Sequence, residues 1–174
     1  MLNELMVKLK ESPMKNVSVE EMLKTYCLYK NEIDDFVKKS VDFMFFVKNS
    51  SIQNKSIYLD LETDLGSCYV RAGFDKYSKF GHPCFCISNI SFDDDFIGKG
   101  IFTVYIAIML KICLAEKWIF YVENPLEKRF QDFLKHSGFK SKEVIGNYFF
   151  MLPDNLLVSE REYYTLEQTM NFQK

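Results

Sequence analysis

Two glycines flank a lysine at residues 98–100, just before the longest apolar-periodic segment, "FIGKGIFTVYIAIMLKICLAEKWIFYVEN" (Phe96 to Asn124). A strand that enters a helix through a glycine-containing turn presents unpaired backbone N–H groups at the positive end of the helix dipole. Because glycine has no Cβ, an anionic ligand can approach that backbone closely. The pattern is typical of an anion site, and a tight turn without a ligand is the alternative interpretation.

The glycine spacing excludes two common phosphate motifs. A P-loop ends in Gly-Lys-Ser/Thr after four intervening residues, and the dinucleotide motif needs a third glycine where Thr103 stands. Three acids, Asp93 to Asp95, precede the turn and would repel an anion. In the alternative interpretation, these three carboxylates cap the turn or face solvent.

The residues that could move a proton or bind a polar group are scattered along the chain. Asn124, at the end of a predicted strand, is the best-placed polar residue to bind an amide, and an N-cap for the next helix is an equal alternative. Tyr121 and Tyr148 could donate a proton, although packing is the commoner role of a strand tyrosine. Weaker candidates, each with a solvated or helix-end role as the alternative, are Glu62, His82, Lys128, Arg129 and His136.

The cysteines do not indicate a metal site. Cys84 and Cys86 would share one face of a strand close to His82, but zinc needs four ligands in paired short spacings and no second pair exists. We expect no metal. The five cysteines, predicted to be reduced and mostly small buried apolar residues, are Cys27, Cys68, Cys84, Cys86 and Cys113.

Composition indicates one well-filled domain. The chain has 174 residues, 48% hydrophobic and 16% aromatic, which is enough for a substantial core. A formal net charge of −2 does not favour a nucleic-acid-binding face. The sequence has no run of 18 apolar residues, and "MLNELMVKLKESPMKN" lacks the apolar core of a signal peptide, so we expect no membrane association and a cytoplasmic location.

The first third of the chain, residues 1–48, predicts helices. Ser18 and Glu21 match a capping box. The helix that it opens has an apolar face of Val19, Met22, Leu23, Tyr26 and Cys27, and a second stripe continues through Ile33, Phe36, Val37 and Val41. The segment "FMFFV" (residues 43–47) fits either the end of that helix or a buried strand.

The next part, residues 56–154, predicts a mixed, mostly antiparallel sheet with helices on its faces. The predicted strands cover residues 56–62, 68–75, 83–92, 118–123 and 147–152, with the third of them central. Predicted helices cover residues 104–116, nearly all apolar and so buried, and 125–139, with Pro125 in the first turn and Gly138 as the C-terminal cap. Residues 155–174 form a tail.

The stretch from Phe96 to Asn124, followed by "FQDFLKHSGF", resembles the core of the GNAT superfamily of N-acetyltransferases. That family has a strand, a glycine turn, a long helix, a strand, and a helix that ends in Gly-Phe, here Gly138 and Phe139. The match covers roughly residues 87–139. It implies a GNAT-like α/β fold over residues 1–174.

The resemblance also implies a ligand, acetyl-coenzyme A as co-substrate, or another acyl-coenzyme A, with an unidentified amine as acceptor. Its pyrophosphate would lie on the amides of Gly98, Lys99, Gly100, Ile101 and Phe102, and its pantetheine arm along Ile90, Ser91 and Phe92. Asn124 would bind a substrate or pantetheine amide. The predicted activity is N-acyl transfer, most simply acetyl transfer. The alternative is a catalytically inert GNAT-fold binding or inhibitory protein, because Leu134 stands where many members have a catalytic tyrosine.

Overall fold

A computed structural model describes residues 14–50, 56–73, 83–123, 125–143 and 147–151, with side chains described through residue 140. In chain order the elements are α1 (Val19–Leu28), α2 (Lys30–Asn49), β1 (Ser56–Thr63), β2 (Gly66–Gly73), β3 (Cys84–Phe92), α3 (Ile101–Ala115), β4 (Ile119–Glu123), α4 (Lys128–His136), β5 (Lys140–Glu143) and β6 (Asn147–Met151). A short 3₁₀ turn, Asp94–Phe96, joins β3 to α3. The helix predicted near residues 2–9 and the tail lie outside the described residues.

The first two helices follow the predicted caps and stripes. Ser18 Oγ accepts a hydrogen bond from Glu21 N at 3.2 Å and so caps α1. The "FMFFV" segment is helical, since α2 runs on to Asn49. The prediction that Cys27 lies on the apolar face is wrong, because its side chain is exposed at the edge of the buried stripe.

The sheet has six strands in the order β1-β2-β3-β4-β6-β5. Strands β3 and β4 are parallel, and every other neighbouring pair is antiparallel. The prediction of a mixed α/β fold with a mostly antiparallel sheet is therefore confirmed. Strand β5 was not predicted, since "KSKE" has no apolar alternation to mark it.

One apolar core joins the helices to one face of the sheet. Helix α3 is its centre, because it has buried side chains around its whole circumference, as its uniformly apolar sequence predicts. The sheet residues that enter this core include Cys68, Val70, Ala72, Phe85, Ile87, Phe120 and Val122. Since side chains alternate along a strand, Arg71, Cys86, Tyr121 and Glu123 point to the opposite face.

Left-handed residues end both later helices. In α4, Gly138 has φ of 93° and its N–H donates to Lys135 O, while Phe139 N–H donates to Leu134 O at 3.0 Å. This is a Schellman motif, so the predicted Gly138 cap is confirmed. The predicted start of this helix is wrong: Pro125 lies before it, and the N-cap is Glu127.

Helix α3 uses the same motif with Lys117 in the glycine position, at φ of 61°. Trp118 N–H donates to Cys113 O at 2.7 Å and so turns the chain into β4. Among the described helices, none has the length and apolarity needed to cross a bilayer.

Candidate functional site

The glycine turn before α3 is open to solvent. Gly98 and Gly100 have φ of 74° and 77°, in the left-handed region that glycine adopts without strain. Gly100 is the N-cap of α3, and no described side chain caps this helix end. The first N–H groups of α3, from Ile101 to Thr103, therefore have no partner within the helix. A Cβ on Gly98 would meet nothing within 4 Å, which leaves room for a ligand.

Helix α1 supports the turn from one side. Thr25 Oγ1 donates a hydrogen bond to Lys99 O at 3.4 Å. The rings of Tyr29 and Phe96 meet edge to face, with centroids 6.1 Å apart. These contacts place the C-terminal end of α1 against the exposed turn.

The three acids before the turn face solvent. Asp93, Asp94 and Asp95 are all exposed. Asp93 occupies the N-cap position of the 3₁₀ turn but makes no side-chain capping bond there. The negative charges of the three aspartates therefore lie close to the glycine turn, and the Asp93 carboxylate does not cap the 3₁₀ turn.

Strand β3 runs on beyond the last residue that pairs with β4. Within the described residues, their pairing runs from Cys84 and Ile119 to Ile87 and Val122, and then stops. Strand β3 continues to Phe92, whereas β4 ends at Glu123 and stays paired with β6 to that point. Residues 88–92 thus have no strand partner on the β4 side in this part of the chain.

A bulge in the pairing of β3 with β2 lies where its pairing with β4 stops. On its other side, β3 pairs Ile87 with Val70 and Asn89 with Tyr69, which leaves Ser88 as the extra residue. A bulge bends its strand and redirects a side chain. Ser88 Oγ donates to Glu123 Oε2 at 2.9 Å and so bridges the first unpaired position of each strand.

An arginine from β2 completes this bridge. Arg71 Nη2 lies 2.7 Å from Glu123 Oε2 and donates to Tyr121 Oη at 2.8 Å. The guanidinium lies 5.7 Å from the ring centroid of Tyr58 and 5.8 Å from that of Tyr121. We call Arg71, Cys86, Ser88, Tyr121 and Glu123 the apex cluster.

Burial and charge set the protonation of the apex cluster. Burial disfavours the charge of Arg71, but Cys86 and Tyr121 outweigh it, and the pKa of Arg71 is raised. Burial raises the pKa of the Cys86 thiol to about 11, against the opposing influence of Arg71 and Ser88. The thiol is therefore protonated near neutral pH and is a poor nucleophile. In the described part of the chain, no three His, Cys, Asp or Glu side chains are grouped to hold a metal ion.

The structure brings the predicted coenzyme residues together in two adjoining groups. Ile90, Ser91 and Phe92 lie on the unpaired edge of β3, and Gly98, Lys99, Gly100, Ile101 and Phe102 form the turn and the start of α3. The two groups contact each other through half-buried aromatic rings: Phe102 is 5.9 Å from Phe92, and also 5.2 Å from Phe130 of α4, centroid to centroid.

The predicted polar candidates have mixed outcomes. Asn124 and His82 lie outside the described residues, as does the side chain of Tyr148. The alternative role of Asn124 as an N-cap is wrong, because Glu127 occupies that position. Glu62, Lys128 and Arg129 are exposed. His136 Nδ1 donates to Asp132 O at 2.6 Å, as expected for a residue at a helix end.

Sequence reasoning missed Arg71, Ser88 and Glu123. A signal was present, because "CYVRAG" and "WIFYVE" each contain one charged residue in an apolar strand, and the two charges are opposite. Charged residues in such strands are seldom buried unless they are paired. The pairing itself depends on the order and register of the strands.

No known protein-family model, no curated protein and no solved structure matches this chain.

Proposed function

We propose that this protein has a GNAT-like fold, binds an acyl-coenzyme A and transfers its acyl group, most simply acetyl, to an amine. The observation that carries the proposal is that β3–β4 pairing stops after Ile87 and Val122, whereas β3 itself continues to Phe92 towards the glycine turn. An extended, amide-containing arm can pair with an unpaired strand edge as an added strand does. Its terminal phosphates would then reach the exposed N–H groups at the start of α3.

The two groups are joined by a short, fixed connection, which supports a single continuous ligand. Only Asp93, the 3₁₀ turn and Ile97 separate the end of β3 from Gly98. A ligand with an extended arm at one end and phosphates at the other matches that order. The free thiols of all five cysteines fit the predicted cytoplasmic location.

A second candidate is an inert GNAT-fold protein that binds a partner or inhibits it. Leu134 favours it, since this residue is fully buried in the core and its carbonyl accepts the Schellman bond from Phe139. No proton donor is available from the position where many GNAT members have a tyrosine.

Thermal unfolding with acetyl-coenzyme A tests the proposal. A ligand at one hundred times its Kd stabilises the native state by about 2.7 kcal/mol. For a chain of this length we expect a rise in Tm of roughly 5 to 10 °C. Adenosine 3′,5′-bisphosphate and pantetheine alone should each give smaller shifts. No shift with acetyl-coenzyme A up to millimolar concentration would contradict the proposal. Binding of acetyl-coenzyme A without release of its thiol in the presence of any amine would favour the catalytically inert protein.

A further inference from the structure

We infer that this chain forms a twofold-symmetric dimer in which the edge strand β1 pairs antiparallel with β1 of a second copy, with Leu59 opposite Leu59. The pairing extends the sheet across the two molecules. This inference concerns an interaction surface, and it does not depend on coenzyme binding or on acyl transfer.

The two outer strands of the sheet differ in how well they are protected against such pairing. Strand β5 has only four residues, and two of them are lysines, Lys140 and Lys142. Short length and lysine are devices that keep an edge strand from adding another chain. Strand β1 has eight residues, with no proline or lysine, and its register with β2 is unbroken. Among the described residues, no strand pairs with its outer side.

The middle of β1 is exposed although it is largely apolar. Tyr58 is 52% exposed and Leu59 is 39% exposed. Leu59 stands opposite Val70, a core residue, so it lies on the face of the sheet that the helices cover. Tyr58 lies on the other face, where its ring stacks on that of Tyr69 with centroids 5.6 Å apart. A second strand along this edge would cover both side chains, one on each face.

Helix α2 adds an exposed phenylalanine beside this edge. Lys39 Nζ donates to the Glu62 carbonyl at 2.8 Å, which places this side of α2 next to β1. Phe46 lies about two helical turns further along the same side of α2 and is 63% exposed. A phenylalanine beside an exposed edge strand adds apolar area to any contact made there.

The sequence of β1 selects a second copy of itself as the strand that fits. A twofold axis perpendicular to the sheet keeps each face on its own side, so residues of one face must stand opposite residues of the same face. The register centred on Leu59 makes four kinds of pair: Leu59 with Leu59, Ile57 with Leu61, Tyr58 with Asp60, and Ser56 with Glu62. Apolar residues then meet apolar residues on the helix face, and each carboxylate meets a hydroxyl on the other face.

The neighbouring registers are poorer. Centring on Asp60 sets two aspartates directly opposite each other, and centring on Leu61 sets Asp60 against Glu62. Like charges directly opposite each other destabilise a strand pair. Centring on Tyr58 avoids opposed acids but pairs only residues 56–60, whereas the register centred on Leu59 pairs residues 56–62. The Leu59 register is therefore the longest one without opposed acids.

Sedimentation velocity tests the dimer at protein concentrations from about 1 to about 500 μM, which covers the micromolar range of Kd. We expect the wild-type protein to shift from monomer to dimer over this range. Leu59→Lys sets two ammonium groups against each other at the axis and should weaken the dimer by about tenfold or more. Leu28→Lys replaces an exposed leucine of α1 and is the matched control, which should leave the dimer Kd unchanged. The Tm of each variant reports whether the fold is kept.

Disulfide formation between two copies tests the register. Cys27→Ser first removes the exposed native thiol. In that background, Leu59→Cys should be cross-linked by the thiol oxidant diamide, because the Cα atoms of directly opposite strand residues are about 4.5 to 5.5 Å apart. Ile57→Cys is the matched control on the same face, and its Cα would lie about 13 Å from that of its copy, too far for a disulfide. Non-reducing electrophoresis measures both rates.

Four results would overturn the inference. They are a wild-type protein that stays monomeric over the whole range, a dimer whose Kd is unchanged in Leu59→Lys, equal cross-linking of Leu59→Cys and Ile57→Cys, and assemblies that grow beyond the dimer. The last result would indicate head-to-tail addition of β1 to β5, which has no closed symmetry. If Leu59→Lys fails to fold, the two cysteine variants still decide whether β1 pairs with its copy.

Discussion

Ser88 and Glu123 are joined by a hydrogen bond of 2.9 Å across the place where two parallel strands stop pairing. Ser88 reaches this position because a bulge makes it the extra residue of β3, and Glu123 because β4 ends there. Their bond links the unpaired edge of β3 to the ion pair with Arg71.

Removing the hydroxyl of Ser88 should weaken the fold slightly. A typical hydrogen bond contributes about 1 kcal/mol, and one to a charged group more, so Ser88→Ala should lower the free energy of unfolding by about 1 to 2 kcal/mol. We expect Ser88→Thr, which keeps the hydroxyl and suits a strand, to stay close to wild type. Urea unfolding of both variants measures the effect, and a wild-type free energy of unfolding in Ser88→Ala would show that the bond does not stabilise the fold.

A charged side chain at Gly98 should block the proposed phosphate site. A Cβ at Gly98 projects into open space beside the N-terminus of α3, so Gly98→Glu would place a carboxylate where the anion binds. We expect coenzyme affinity to fall on the order of tenfold relative to Gly98→Gln, about 1.4 kcal/mol. Both variants share the backbone strain at φ of 74°, so calorimetric titration of the pair isolates the charge. Equal affinities would place the phosphates elsewhere.

Removing the exposed acids before the turn should strengthen coenzyme binding. Asp94 and Asp95 carry negative charge close to the proposed anion site and face solvent. Asp94→Asn and Asp95→Asn should each improve binding by about 1 kcal/mol or less, and most of the gain should vanish at high salt. Glu20→Gln on α1 serves as the control. Weaker binding in both aspartate variants would mean that these carboxylates contact the ligand favourably.

Lys117 offers a test of backbone strain. At its φ of 61°, a residue with a Cβ is destabilised by about 1 to 2 kcal/mol, and glycine would relieve that strain. The greater flexibility of glycine in the unfolded chain offsets about half of this gain in stability. Lys117→Gly should therefore raise the free energy of unfolding by about 0.5 to 1 kcal/mol. Lys117→Ala removes the same side chain without relieving the strain. If alanine stabilised the protein as much as glycine, the backbone conformation would not be the cause.

The buried thiol of Cys86 should make stability fall at alkaline pH. Its pKa is about 11 in the folded protein, against an ordinary value of 9.0, so the unfolded chain loses this proton first. The stabilisation is complete below pH 9 and is lost as pH rises to about 11, to a total of about 3 kcal/mol. Cys86→Ala should lose less stability over that interval in urea unfolding at successive pH values. A curve with the same slope as wild type would mean that Cys86 ionises freely in the folded state.

Patterns local in sequence predicted the elements well. Helix α3 follows from a nearly unbroken apolar run, and α1 from Ser18 and Glu21, because helix formation depends on residues within a few positions. The cap at Gly138 follows for the same reason. The start of α4 was predicted wrongly, because Pro125 is compatible with the first turn of a helix but does not require one.

The glycine turn could also be found from sequence, but only as a type of site. Gly98 and Gly100 indicate a backbone open to a ligand, and both have the left-handed φ values that only glycine adopts easily. Which strand edge stands beside the turn, and whether it is paired, depends on hydrogen bonds between distant segments.

The sequence by itself thus determined the helices, most of the strands, the mixed sheet and the exposed turn. The tertiary structure alone decided that β3 and β4 stop pairing after Ile87 and Val122, and that Arg71 and Glu123 meet there. The physical reason is that a period of two shows which residues share a face but gives neither the neighbouring strand nor the register. An ion pair between two strands forms only when both the strand order and the register are fixed.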